Sequence, residues 1–126
     1  MAKRKTGPLT PQELAIMKIV WRLGAVTVRD VYEALNASRR IAYTTVMTMM
    51  GVLETKGFLR KETDDRAYRY HAVQPQGTVI ASMIQEFVDR VFDGASRPLL
   101  LHLVKKARLS AAQRKELQRL LDDEEA

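Results

Sequence analysis

The chain has 126 residues, 46% hydrophobic and 29% charged, with a formal net charge of +6 and no cysteine. That length fits one domain, or one compact domain with a helical appendage, and the apolar content is ordinary for a globular protein and too high for a disordered one. Disulfides, thiolate metal sites and cysteine nucleophiles are excluded within this chain, and no apolar run approaches the roughly 18 residues of a membrane span.

In chain order, MAKRKTGPLT is basic but leads into no hydrophobic signal segment, so export is not expected and a cytoplasmic location is. Residues 1–8 read as a flexible basic arm. Thr10-Pro11-Gln12-Glu13 is a helix start: Thr10 caps, Pro11 suits the first helical position and Glu13 completes a capping box. The helix runs through ELAIMKIVWRL, with Leu14, Met17 and Trp21 on one face, Ile16, Val20 and Leu23 beside it, and Gly24 ending it. Ala25 and Val26 are extended, at most a very short strand. Thr27 and Asp30 form a second cap, opening VRDVYEAL to about Asn36.

ASRR connects to a third helix, about Ala42 to Lys56, with Gly57 as its C-terminal cap. This helix has poor composition: Thr44, Thr45 and Thr48 are β-branched, and Gly51 costs about 1 kcal/mol relative to alanine. The period then switches to two. FLRKET and AYRYHAV flank DDR and read as a β-hairpin, although the turn lacks an Asn-Gly or Asp-Gly signal. After Pro75 the chain is helical. TVIASMIQEFVDRVF carries more apolar positions than one partner helix covers, and Gly94 breaks it. SRPLLLHLVKKA forms another helix, Ser110 and Gln113 cap a last one, and the acidic end DDEEA is expected to fray.

Helix, short extended piece, helix, helix and hairpin within about 65 residues is the order of a winged helix-turn-helix, giving a mainly α fold with a small β-hairpin wing. In such folds the helix before the hairpin enters the major groove. Residues 1–73 hold 13 Lys/Arg and 7 Asp/Glu, a balance of +6, whereas residues 74–126 hold 8 and 8. The excess positive charge therefore lies in the part with the DNA-binding order, as a polyanion partner requires. On a helical wheel Val46, Met49, Met50 and Leu53 point inward, leaving Tyr43, Thr44, Met47, Thr48 and Gly51 outward or marginal. Methyls and hydroxyls there suit thymine methyls, base edges and phosphates. Arg39 and Arg40 precede this neutral face; Lys56, Arg60, Lys61, Arg66 and Arg69 follow it.

LTPQELAIMKIVWRLGAVTVRDVYEAL, AYTTVMTMMGVLETKGFL and DDRAYRYHAV resemble the penicillinase-repressor family, which includes β-lactamase, methicillin-resistance and copper-operon repressors. The similarity covers about Leu9 to Leu121, and AYTTVMT, LETKG and RAYRY are specific as a set. The resemblance implies a homodimeric transcriptional repressor on a palindromic operator in double-stranded DNA. It divides the chain into a winged-helix domain, 9–74, and a helical dimerisation domain, 75–126. It implies base reading by Tyr43, Thr44, Thr45, Met47 and Thr48, and wing contact by Arg66. The surplus Val79, Ile80, Met83, Ile84, Phe87, Val88, Val91 and Phe92, with Leu100, Leu103, Leu117 and Leu120, then fits a dimer core.

The chain departs from the family pattern in three places. Gly51 and Val52 stand where the family often has a basic residue. Antibiotic-responsive members are released by cleavage in the dimerisation part, through a membrane-associated sensor protease pathway. The matching bond here is His102–Leu103 rather than asparagine–phenylalanine. Copper-responsive members use C-terminal cysteines, which this chain lacks, so thiolate copper sensing is excluded.

Other features receive plainer readings. Lys3-Arg4-Lys5 reads as a solubilising tail, with an arm on the DNA backbone as the alternative. His71 and His102 are isolated, so no metal is expected; Trp21 and the methionines sit at core spacing, so no cofactor is expected either. No nucleophile elbow, phosphate-cradling glycine loop, HExxH spacing or facing carboxylate pair is present, and Asp64-Asp65 and Asp122 to Glu125 are wing and terminal charges; catalysis is not expected. The alternatives to a repressor are a winged-helix protein-interaction module and a regulator sensing a small molecule directly.

Overall fold

The computed structural model describes residues 9–65 and 67–125. The basic arm and Arg66 thus lie outside the described residues. Helix α1 (Pro11–Leu23) opens with the capping box its sequence encodes: Glu13 N–H donates to Thr10 Oγ1 at 3.1 Å, and Thr10 N–H donates to Glu13 Oε1 at 2.9 Å. Gly24, at φ 89°, ends it in a conformation that glycine adopts without a Cβ penalty. Thr27 and Asp30 repeat the box at the start of α2 (Val28–Asn36). Between the two helices Val26 is extended and forms a bridge with Tyr70, each N–H donating to the other's carbonyl, at 3.1 and 2.7 Å.

Helix α3 (Tyr43–Lys56) persists despite its composition because its inner stripe is fully buried: Val46, Met50 and Leu53 have no exposed surface. Packing of an apolar face outweighs weak propensity in most protein helices. Gly57 closes it in the left-handed region at φ 90°, and Phe58 N–H reaches back to Leu53 O at 2.9 Å. Strands β1 (Leu59–Asp64) and β2 (Ala67–Ala72) pair antiparallel, from Leu59↔Ala72 to Asp64↔Ala67. Asp65 follows β1 in the turn of the hairpin. Asp65 supplies a positive φ of 48°, a conformation that Asp tolerates better than most residues and that does not require the missing glycine signal.

Ile16, Met17 and Val20 of α1, Val31 and Leu35 of α2, the α3 stripe, and Phe58, Leu59 and Tyr70 of the hairpin form one core. Leu23, expected beside that face, is instead half exposed, one turn beyond the last buried residue of α1. Trp21 Nε1 donates to Gln74 O at 3.0 Å, anchoring the chain after β2 to α1.

The described residues pack as two compact units that divide between Met83 and Ile84. The division falls inside α4 (Gln76–Phe92), beyond the expected limit of residue 74. Val79 is buried in the winged-helix core and Met83 packs against it, so these two positions, expected at a dimer interface, already serve the first unit. The second unit continues through α5 (Arg97–Lys106) and α6 (Ala111–Glu125), with the Ser110–Gln113 capping box in place. The acidic end expected to fray is helical to Glu125, with Gln118 Nε2 donating to Asp122 Oδ1 one turn on. Among this unit's described residues only Val88 is buried, and α5 buries nothing.

One buried ion pair crosses the first unit. Lys56 Nζ donates to both carboxylate oxygens of Glu13, at 2.8 and 3.0 Å, and Glu13 is 5% exposed. Burial pushes the Glu13 carboxyl up, but bonds from Lys56 and Thr10 outweigh it and hold the carboxyl below its ordinary value of 4.5. The folded state therefore binds this proton less readily than the unfolded chain, so the pair stabilises above that value and its contribution is lost on acidification through the lowered folded value. Lys56→Met, which leaves a buried carboxylate without its cation, is expected to cost about 3 kcal/mol in urea unfolding at pH 7. Glu13→Gln, which preserves the capping box, should flatten the loss of stability between neutral and acid pH; an unchanged slope would show that Glu13 does not drive it.

Candidate nucleic-acid interface

The buried stripe of α3 determines what its other side presents. Tyr43, Thr44, Thr45, Met47 and Thr48, the five expected base-reading residues, are all exposed on one helix, and Met49 is the half-buried boundary. At 100° per residue the direction opposite the core runs through Thr44, Thr48, Gly51 and Thr55. Tyr43 and Met47 flank it on one side, Thr45 and Val52 on the other. Val52, expected where the family often has a basic residue, is exposed, and so is Thr55, which the wheel adds to the outward line.

Tyr43 is the least free of these side chains. Its ring meets Tyr32 of α2 edge-on, with centroids 5.4 Å apart, and the Arg29 guanidinium lies 5.9 Å from its centroid. No side chain caps α3, since Ala42 occupies the cap position, so its first-turn N–H groups have no intrahelical or side-chain acceptor. Arg39 and Arg40 are exposed in the preceding turn, which Asn36 Nδ2 braces by donating to Tyr32 O and Ile41 O, at 2.8 and 3.3 Å.

Cations beyond α3 divide into three groups. Lys56, expected on the rim, is withdrawn into the Glu13 pair and presents no charge there. The hairpin's outer face carries Arg60 and Arg69; Glu62 on the same face takes Arg60 at 3.1 Å and His71 at 3.2 Å, reducing that face's net charge. Lys61 lies on the other face, its ammonium 4.5 Å over the exposed ring of Tyr68. Among the described residues there is no cluster of three or more His, Cys, Asp or Glu side chains able to hold a metal.

In the second unit Ile84, Phe87 and Val91 are exposed at helical spacing on α4, as are Leu103 on α5 and Leu120 on α6. Ile80, Phe92, Leu100 and Leu117 are half-buried and Val88 is buried. His102 and Leu103 are exposed in the interior of α5.

Residues 9–123 match the model of the penicillinase repressor family. The chain belongs to that family. Among its relatives, the transcriptional regulator BlaI of Mycobacterium tuberculosis is 38% identical over 116 residues, 90% of this chain and 83% of that protein. The methicillin resistance regulatory protein MecI of Staphylococcus aureus (strain N315) is 23% identical over 118 residues, covering 94% and 96%. Solved structures bear out the winged-helix fold. The monomeric form of Bacillus licheniformis BlaI, determined in complex with the blaP half-operator, aligns with a TM-score of 0.51 at 23% identity, over 59% of this chain and 90% of that one. A MarR family protein from Bacillus stearothermophilus aligns at 0.52 and 17% identity, over 91% and 77%.

Proposed function

We propose that this penicillinase-repressor family member is a transcriptional repressor that binds a palindromic operator in double-stranded DNA as a homodimer. The observation that carries this reading is the exposed face of α3, uncharged along its outward line, with Arg39 and Arg40 just before it. A slim neutral helix face reaches base edges, while flanking cations and unbonded N–H groups at the helix start hold phosphates. The half-operator in the B. licheniformis BlaI structure agrees with it. Tyr43, Thr44, Thr45, Met47 and Thr48 are the base-reading set, Arg39 and Arg40 the backbone contacts, and Arg66 a wing contact.

The dimer reading rests on α4. Ile84, Phe87 and Val91 expose an apolar stripe at i, i+3 and i+7, a waste of hydrophobic surface in a lone chain. A second copy is the occupant that the family's palindromic sites require, with half-sites one helical turn apart or a multiple of it. No helix among the described residues is long and apolar enough to cross a membrane; action in the cytoplasm follows from acting on DNA.

Release by proteolysis at His102–Leu103 belongs to the same proposal. A protease takes an extended segment, so α5 must unwind locally, and a ten-residue helix with no buried residue opens at low cost. The protease would answer to a membrane-associated sensor.

Four measurements test the reading. In a gel-shift titration with a salt series, the full chain should bind its own upstream DNA more tightly than random DNA and lose affinity steeply with salt. Thr48→Ala should alter preference among sequences severalfold, while Arg40→Ala weakens all sequences alike; an intact preference in folded Thr48→Ala protein removes the reading face. Sedimentation should find a dimer that Phe87→Glu converts to monomers. Mass spectrometry of the protein from induced cells should find a fragment ending at His102, and cleavage elsewhere would dismiss that bond.

A further inference from the structure

The outward face of α3 has a chemistry that narrows what it can read. Over about three turns it presents Thr44, Thr48 and Thr55 along the centre, with Met47 and Val52 as exposed apolar flanks, 47% and 41% accessible. None of these is Arg, Lys, Asn or Gln. The two-point hydrogen bonds that identify guanine and adenine in the major groove need those long polar side chains. Methyl, thioether and hydroxyl groups offer instead van der Waals contact and single hydrogen bonds that a hydroxyl makes as donor or acceptor alike. The group in the major groove that answers to apolar contact is the C5-methyl of thymine.

Two further observations agree. Met47 and Val52 are exposed and belong neither to the buried core nor to the residues packed against it. Gly51, between them on the wheel, has no atom within 4 Å of the place a Cβ would occupy, so the bare backbone there is open to close approach. Methyl contacts require just such closeness, since dispersion falls off within a fraction of an ångström of contact.

We propose that this protein discriminates among operators through thymine methyl groups, contacted by Met47, Val52 and the threonine methyls, rather than through hydrogen bonds to guanine or adenine. This rests on the reading of α3 as the base-reading helix. Hydrogen bonds from the threonine hydroxyls then position the helix but distinguish bases weakly.

The test uses the full chain and a duplex enriched by it from a randomised DNA library. Each half-site thymine is replaced singly by deoxyuridine, which lacks only the C5-methyl. At contacted positions Kd should rise about fourfold, the value of one methyl withdrawn from water. A C·G pair placed there should bind about fourfold more tightly when its cytosine carries a 5-methyl group. Met47→Ala and Val52→Ala, surface changes that leave the core intact, should bring the thymine-to-uracil ratio towards one, and a ratio that stays at about four in both folded variants removes these side chains from the methyl contact. If every deoxyuridine duplex binds like its parent while the parent remains preferred over scrambled sequence, methyl reading is overturned and the repressor reading stands. If no duplex is preferred over random DNA, both fall.

Discussion

The Glu13 carboxylate holds together the two ends of the arrangement on which the rest depends. It accepts the Thr10 N–H that starts α1, three positions before it, and the Lys56 ammonium that ends α3, 43 positions after it. A buried ion pair contributes little net stability against apolar groups of the same size, because desolvating the charges offsets most of their attraction. Its effect is positional. An ammonium satisfies both carboxylate oxygens only when the last turn of α3 lies at one place against the first turn of α1, and that sets the direction in which α3's outer face points. The same pairing removes Lys56 from the surface, so positive charge stands before α3 and on the hairpin rather than at its C-terminal end.

Once α3 is anchored by Val46, Met50 and Leu53 inside and by Gly57 and Lys56 at its end, its outer residues are relieved of helix-forming duty. That is why threonine and glycine, poor helix formers, accumulate there without unwinding it. The Val26–Tyr70 bridge extends the constraint to the hairpin, fixing the wing to the segment between α1 and α2. Interior packing thus carries the stability and the exterior keeps a chemistry chosen for something else.

What was legible in the sequence was mostly local. The boxes at Thr10–Glu13, Thr27–Asp30 and Ser110–Gln113 span three residues, so their partners could be read directly, and Gly24, Gly57 and Gly94 mark helix ends because backbone geometry demands them. The exposed outer face of α3 followed from the 3.6-residue period. Long-range pairing did not follow: nothing near Lys56 in sequence announces Glu13, and its charge alone places it on the rim. Val79 and Met83 share an apolar pattern with Ile84, Phe87 and Val91, yet the first two pack in the winged-helix core and the others remain exposed. Periodicity reports that a residue seeks an apolar neighbour and is silent on which one.

Under the proposed function, the neutral face and the exposed apolar helix answer the same need. Cations attract any DNA, and the salt-dependent affinity they supply carries no sequence information. A face of methyls and hydroxyls carries the information in small increments, about fourfold per methyl, and one short helix reaches only a few bases. Independent increments multiply, so two copies of α3 held at fixed separation square the ratio that one achieves. A protein whose reading helix lacks arginine and asparagine therefore depends on a dimer more heavily than one that has them. The stripe of Ile84, Phe87 and Val91 is then part of how specificity is obtained, even though it touches no base.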